Sequence, residues 1–183
     1  MTERRPHRLP GERDPAAEIA RMLRVDHAGE YGATRIYQGQ LDFLGRSRAA
    51  GEVRRMAETE QRHLARFEAL LCERRVRPTL LHPLWTVAGY ALGAATALLG
   101  ERAAMACTAV VEDVIDVHYQ RQAEYLADAD PELQDTIVAF RDDELAHREI
   151  AIAQGAEDAL GYELITGAIR AGSRLAIWLS TRL

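Results

Sequence analysis

The sequence contains no lysine: all 23 basic residues are arginine, and against 28 acidic residues they leave a formal charge of -5 at neutral pH. That balance excludes a protein basic enough overall to track nucleic acid, so no nucleic-acid partner is expected. Cysteine is nearly absent too. Cys72 and Cys107 are too few for a disulfide scaffold and too far apart for CxxC chemistry, and read as reduced core thiols of a cytosolic protein. Glycine (13) and proline (6) are sparse in 183 residues, and with 48% apolar and 28% charged residues this excludes fibrous and disordered chains. The start, MTERRPHRLPGERD, has no apolar stretch of the kind a cleaved secretory signal carries. Residues 1–15 therefore read as a flexible N-terminal tail, and 16–183 as a single domain.

Long apolar runs are missing with one exception. From Pro78 to Gly100, 23 consecutive residues carry no formal charge. Pro83 breaks the run, Thr79, His82, Thr86 and Thr96 dilute it, and only 16 residues separate Pro83 from Gly100. A membrane span needs about 20 apolar residues. The segment therefore suits a bundle crossover or a helix lying on a membrane surface better than a span.

Period-two alternation is absent as well, while apolar residues recur at three and four along most of the chain, so the fold is read as all-α. Helices are expected at 16–44, 49–75, 80–99, 101–127, 131–156 and 159–181. Between them stand turn signals at Gly45 to Gly51, Arg77-Pro78, Gly100 and Asp128 to Pro131, with Asp130 as an N-cap and Pro131 in the first turn.

Carboxylates interrupt the apolar stripes. Glu30 shares its face with Leu23, Ala33, Tyr37 and Leu41; Glu60 with Val53, Met56, Leu64 and Phe67; Glu112 with Met105, Ala109, Ile115 and Tyr119; Glu144 with Ile137, Phe140 and Ala151. An ionised carboxylate is costly to bury unless it is paired or bound to metal. The spacing gives these acids an arrangement. Glu30 and Glu60 are 30 residues apart about Gly45, and Glu112 and Glu144 are 32 apart about Asp128. Each pair straddles a turn, so each helical hairpin brings its two carboxylates side by side. Each second Glu is followed at i+3 by a histidine on the same face, His63 and His147.

With 6 His in 183 residues, a given Glu has about a 1 in 30 chance of a His at i+3, so one such pair means little. Two in register, each with a partner Glu one hairpin away, reproduce the ligand set of ferritin-like di-iron carboxylate bundles: Glu30, Glu60, His63, Glu112, Glu144 and His147. Hard oxygen and imidazole donors suit iron or manganese. Bridging by Glu60 and Glu144, or by their pairing with Glu30 and Glu112, remains open at this point. Three functions fit: an oxygenase, a ferritin-like iron-oxidation protein, and a manganese catalase or peroxidase. A rubrerythrin-type variant is disfavoured, because there is no paired CxxC motif.

Neighbouring residues have two readings each. His27, three before Glu30, could compete as a ligand, but two imidazoles already complete the set, and a role outside it is favoured. Asp143 is either a solvated acid or the acceptor for a ligand imidazole's other nitrogen. Tyr119, at i+7 from Glu112, could approach the metals or an aromatic substrate, or simply pack the core.

The run Leu23-Arg24-Val25-Asp26-His27-Ala28-Gly29-Glu30-Tyr31-Gly32-Ala33, with Glu60/His63, Glu112, His118-Tyr119 and Glu144/His147 downstream, closely resembles the demethoxyubiquinol hydroxylases of ubiquinone biosynthesis. The resemblance covers about residues 16–183. It implies a ferritin-like four-helix bundle with two additional helices for membrane or substrate contact. It also implies two iron ions, O2 as co-substrate, and hydroxylation of the ring of a polyprenylated benzoquinol. The family's iron ligands fall on the six residues named above. His118 and Tyr119 are then candidate catalytic residues at a quinol edge, an imidazole being able to pass a proton near neutral pH. A ubiquinone-biosynthesis complex, a lipid-carrier protein or a second copy of the chain are partners it leaves open.

The family is membrane-associated, which suits the last helix. After Glu163 there is no acid, only Arg170, Arg174 and Arg182 among Ile165, Ile169, Leu175, Ile177, Trp178 and Leu179. That pattern fits a helix on an anionic membrane surface, and the expected location is peripheral, on the cytoplasmic face of the cell membrane. The alternative is a last helix docked on the core or at a subunit interface. Gly89 and Gly93 point to close contact between helices.

Overall fold

A computed structural model describes residues 14–183; the expected tail over 1–15 lies outside these, except for Asp14 and Pro15. Asp14 caps the first helix by accepting from Ala16 N at 3.1 Å, and Pro15 sits in the first turn, where no backbone donor is needed. Six helices follow: α1 Pro15–Leu44, α2 Arg48–Glu73, α3 His82–Leu98, α4 Glu101–Ala129, α5 Pro131–Ala153 and α6 Tyr162–Ser180. Among the described residues there is no strand.

The boundaries follow local chemistry. Gly45 takes φ 66°, a conformation that favours glycine, and ends α1, while Ser47 accepts from Ala50 N and opens α2. Asp130 caps α5 on Leu133 N with Pro131 behind it, as the sequence suggested. The largest departure is near residue 156. There α5 stops at Ala153, a 3-10 turn occupies Ala156–Asp158, and α6 begins three residues late, because Gly155 (φ 85°) and Gly161 (φ 73°) both turn left-handed. Likewise α2 stops at Glu73, with Arg75 at φ 55° just beyond it.

Helices α1, α2, α4 and α5 form the bundle. Contacts between α1 and α4 run in opposite senses: Gln122 donates to Asp26 at 2.7 Å, Tyr37 to Glu112 at 2.6 Å, and Gln40 to the Ala104 carbonyl at 3.0 Å. Along α3 and α1 they rise together, His82 meeting His27 and Thr86 meeting Tyr31. Thus α3 runs parallel to α1 and is the crossover between the two antiparallel hairpins. It lies backbone to backbone on α1. A methyl at Gly93 would overlap the Ile36 carbonyl, one at Gly39 would overlap the Tyr90 carbonyl, and one at Gly89 would come within 2.9 Å of the Gly32 carbonyl. Close contact through Gly89 and Gly93 is therefore present.

The bundle core has an apolar plug at each end. One contains Leu23, Phe67, Leu126 and Ile137, the other Leu44, Val53, Met56 and Met105. Each fully buried side chain of this size contributes about 1.5–3 kcal/mol. Between the plugs, all four bundle helices place acids in the interior. No helix among the described residues is long and apolar enough to cross a membrane.

Candidate metal centre

The six residues singled out by spacing meet in the layer between the plugs. Glu30, Glu60, His63, Glu112, Glu144 and His147 are all buried, the most exposed at only 5%. Their donor atoms form two groups, each spanning no more than 4.8 Å: Glu30, Glu60, His63 and Glu144 in one, Glu60, Glu112, Glu144 and His147 in the other. Glu60 and Glu144 belong to both. Were two ions bound, one in each group, Glu60 and Glu144 would be the residues common to both, with Glu30 and His63 on one side and Glu112 and His147 on the other.

Both imidazoles present Nδ1 to the centre. His63 Nδ1 lies 3.2 Å from Glu144 Oε1 and 3.7 Å from Glu30 Oε2; His147 Nδ1 lies 3.0 Å from Glu60 Oε1 and 3.2 Å from Glu144 Oε2. On its far side, His63 Nε2 is 3.0 Å from Asp143 Oδ2. Asp143, although half exposed, is thus placed to accept from the far nitrogen of the His63 imidazole. His27 belongs to neither group; its Nδ1 is 3.2 Å from His82 Nε2 and the two rings stack.

A phenol braces each terminal carboxylate. Tyr37 OH donates to Glu112 Oε1 at 2.6 Å, and Tyr119 OH donates to Glu30 Oε1. Each tyrosine lies seven residues after one terminal Glu and hydrogen-bonds the other across the α1/α4 interface, so the two hairpins are related by an approximate two-fold. Sequence reasoning placed Tyr119 here but treated Tyr37 only as part of an apolar stripe. The repeated Glu-to-Tyr spacing of seven was the signal that could have identified it.

Four carboxyls in one dry layer cannot all ionise unaided. Burial pushes the Glu30, Glu60 and Glu112 carboxyls up, and the neighbouring Glu144 charge adds to the shift. Burial opposes ionisation of Glu144 too, but hydrogen bonds with His147 and His63 overcome it and hold that carboxyl down at about 2. Burial also works against a charged His63, yet the Glu144 and Glu30 carboxylates carry its imidazole up to about 10. Even with His63 cationic, the layer is short of positive charge against four carboxyls. Glu30 Oε2, both oxygens of Glu60 and Glu112 Oε2 are buried with no well-aligned hydrogen bond among the described residues. Two divalent cations would offset four carboxylates, and the donor set fits them.

The paired residues His118 and Tyr119 diverge. Tyr119 is buried against Glu30, whereas His118 points to the other side, with its Nε2 3.2 Å from Asp26 Oδ1 and 2.8 Å from Gln122 Nε2. The Asp26 and Gln122 partnership was not visible from spacing, because it joins α1 to α4 across 92 and 96 residues. Also unforeseen is an apolar cavity of about 470 Å³ between α1, α3, α4 and α6. Gly29, Ala33, Val111 and Ile115, from the turns that carry Glu30 and Glu112, form part of its wall.

The family described as "Ubiquinone biosynthesis protein COQ7" matches residues 17–180. The 3-demethoxyubiquinol 3-hydroxylase of Rhodospirillum rubrum is 56% identical over 177 residues, covering 96% of this chain and 84% of that protein. The mitochondrial NADPH-dependent 3-demethoxyubiquinone 3-hydroxylases of Dictyostelium discoideum and Homo sapiens are 50% and 49% identical, covering 90% and 91% of this chain and 77% and 79% of theirs. With the family model matched over residues 17–180 on a helical bundle of this architecture, the chain belongs to the ubiquinone biosynthesis protein COQ7 family.

Proposed function

We propose that the protein hydroxylates the ring of a polyprenylated demethoxyubiquinol, using two iron ions held by Glu30, Glu60, His63, Glu112, Glu144 and His147 and O2 as co-substrate. The observation that carries this reading is the pair of ligand groups sharing Glu60 and Glu144 beside an apolar cavity of about 470 Å³. When bound, the irons supply electrons and open coordination positions for dioxygen. The balance is one ring C–H converted to C–OH and one oxygen atom released as water, with two electrons and two protons consumed. A manganese catalase or a storage protein needs no such cavity.

The chain's own residues do the rest. The cavity takes the ring and the first part of the prenyl tail and keeps water from the reacting carbon. Tyr37 and Tyr119 hold the terminal carboxylates in orientation. His118 handles protons: with Nε2 protonated it donates to Asp26, with Nε2 bare it accepts from Gln122, so either state keeps a partner. The side chain of His118 is about a quarter exposed, which gives it access to bulk water. Relatives named as NADPH-dependent make a reduced nicotinamide nucleotide the electron donor to test first.

We further infer peripheral membrane association on the cytoplasmic face of the cell membrane. Helices α3 and α6, which wall the cavity, carry Leu84, Val87, Leu164, Leu175 and Trp178 exposed, and α6 adds an exposed Arg174, whereas Arg170 pairs with Asp113. A lipid-tailed substrate would then reach the cavity without crossing water.

The test supplies iron-loaded protein with a reduced demethoxyquinone and 18O2. A product heavier by one labelled oxygen atom supports the reading. Iron oxidation without product, or peroxide dismutation by the manganese-loaded protein, would replace it with a storage or catalase function.

A further inference from the structure

Trp85 lies in the first turn of α3 and lines the apolar cavity. Its Nε1–H is buried and has no acceptor among the described residues. A buried donor left unpaired costs about as much as a lost hydrogen bond, so such a group in a binding cavity calls for an acceptor on the occupant. The donor is also well placed along the helix axis. Because His82 meets His27 and Thr86 meets Tyr31, the turn that carries Trp85 lies abreast of Gly29 and Glu30. The other side chains in the wall with a polar hydrogen, Ser173 and Ser180, belong to α6.

A second observation concerns the opposite need, for space. Gly29, Gly32 and Gly172 line the same cavity, and a methyl group at any of them would meet no atom within 4 Å. Glycine inside a helix is less stable than alanine, and here no neighbouring protein atom requires it. Gly89, on the same wall, does have such a neighbour, the Gly32 carbonyl. The three open glycines instead leave bare backbone, over which a flat ring can lie.

We propose that Trp85 positions the substrate: its indole N–H donates to a ring oxygen of the quinol while the ring lies flat over Gly29 and Gly32, at the end of the cavity nearest Glu30. The ligand class is an oxygen-substituted aromatic ring with an apolar tail. This rests on the hydroxylase reading above and deepens it, because it assigns the one hydrogen bond that distinguishes a quinol from any other lipid of similar shape. Donor and glycines together set which ring edge faces the metal ligands.

Binding is measured by equilibrium dialysis under argon on full-length, iron-loaded wild type, Trp85→Phe and Gly32→Ala. The two ligands are a reduced demethoxyquinone with a short prenyl tail and a benzene with the same tail but no ring oxygen. Wild type is expected to prefer the quinol, and Trp85→Phe to bind it about fivefold more weakly, the worth of one neutral hydrogen bond, with hydrocarbon binding unchanged. Gly32→Ala is expected to weaken both ligands. Equal weakening of both ligands in Trp85→Phe, or weakening of neither, would overturn the role of Trp85 while leaving the substrate reading intact. Unchanged binding of both ligands in Gly32→Ala would overturn the placement of the ring. No quinol binding by wild type would overturn the substrate reading itself.

Discussion

Tyr37 on α1 and Glu112 on α4, 75 residues apart, share a buried hydrogen bond of 2.6 Å, and Tyr119 and Glu30 repeat it in reverse across the same interface. The phenols orient the terminal carboxylates without ligating anything themselves. Tyr37→Phe therefore keeps the fold, since the ring still fills its place in the core, but frees Glu112 to rotate. Metal affinity is expected to fall by about 10-fold or more, with the loss concentrated in one of two binding steps. A calorimetric titration with ferrous ion under argon measures it.

The metal-free protein should become less stable as pH rises. Burial raises the Glu30, Glu60 and Glu112 carboxyls above their ordinary 4.5, so over the interval above that value the folded state holds more protons than the unfolded one. His63, whose partners raise it from 6.5 to about 10, acts in the same direction over a higher interval. The stabilisation is complete below the unfolded values and is lost as pH rises through the folded ones. Glu144, held down, contributes the opposite slope only below 4.5. Thermal unfolding between pH 5 and 9 is expected to show a falling midpoint without metal and a much smaller fall with it.

Glycines that look alike in the sequence should respond in opposite ways. Gly93→Ala places a methyl group against the Ile36 carbonyl, where backbone must move, and should cost roughly 1–3 kcal/mol or more. Gly32→Ala meets nothing and should stabilise by up to about 1 kcal/mol. Melting curves of the two variants decide whether α3 is fixed to α1 by backbone contact.

Much of this was legible in the sequence because it is periodic. Two hairpins of nearly equal length, each with a Glu on one arm and a Glu-x-x-His on the other, determine which residues meet before any helix angle is known. That Glu60 and Glu144 are the residues common to both groups was not legible, because it depends on which arms face across the bundle. Nor was the partner of His118, since contacts between α1 and α4 follow no local period. The cavity was hidden for a different reason: much of its wall is glycine and alanine, residues whose contribution is the space they leave. After α5 a break is expected at 157–158; helical periodicity runs on through Gly155 and Gly161, and their left-handed backbone widens it to 154–161.

The membrane surface is tested by charge. Leu164 and Trp178 are 80% and 51% exposed, and replacing both by Glu removes apolar area while adding negative charge to an arginine-flanked helix. Co-sedimentation with anionic liposomes should fall several-fold, and the melting temperature should hold within a few degrees because neither side chain is in the core. Undiminished sedimentation would assign the face to another partner.

The central claim is that six side chains hold two metal ions bridged by Glu60 and Glu144. Anomalous diffraction at the iron edge from crystals of the iron-loaded protein tests it most directly. Two peaks are expected, one among Glu30, Glu60, His63 and Glu144 and one among Glu60, Glu112, Glu144 and His147. A single peak, or iron bound away from these residues, would contradict it.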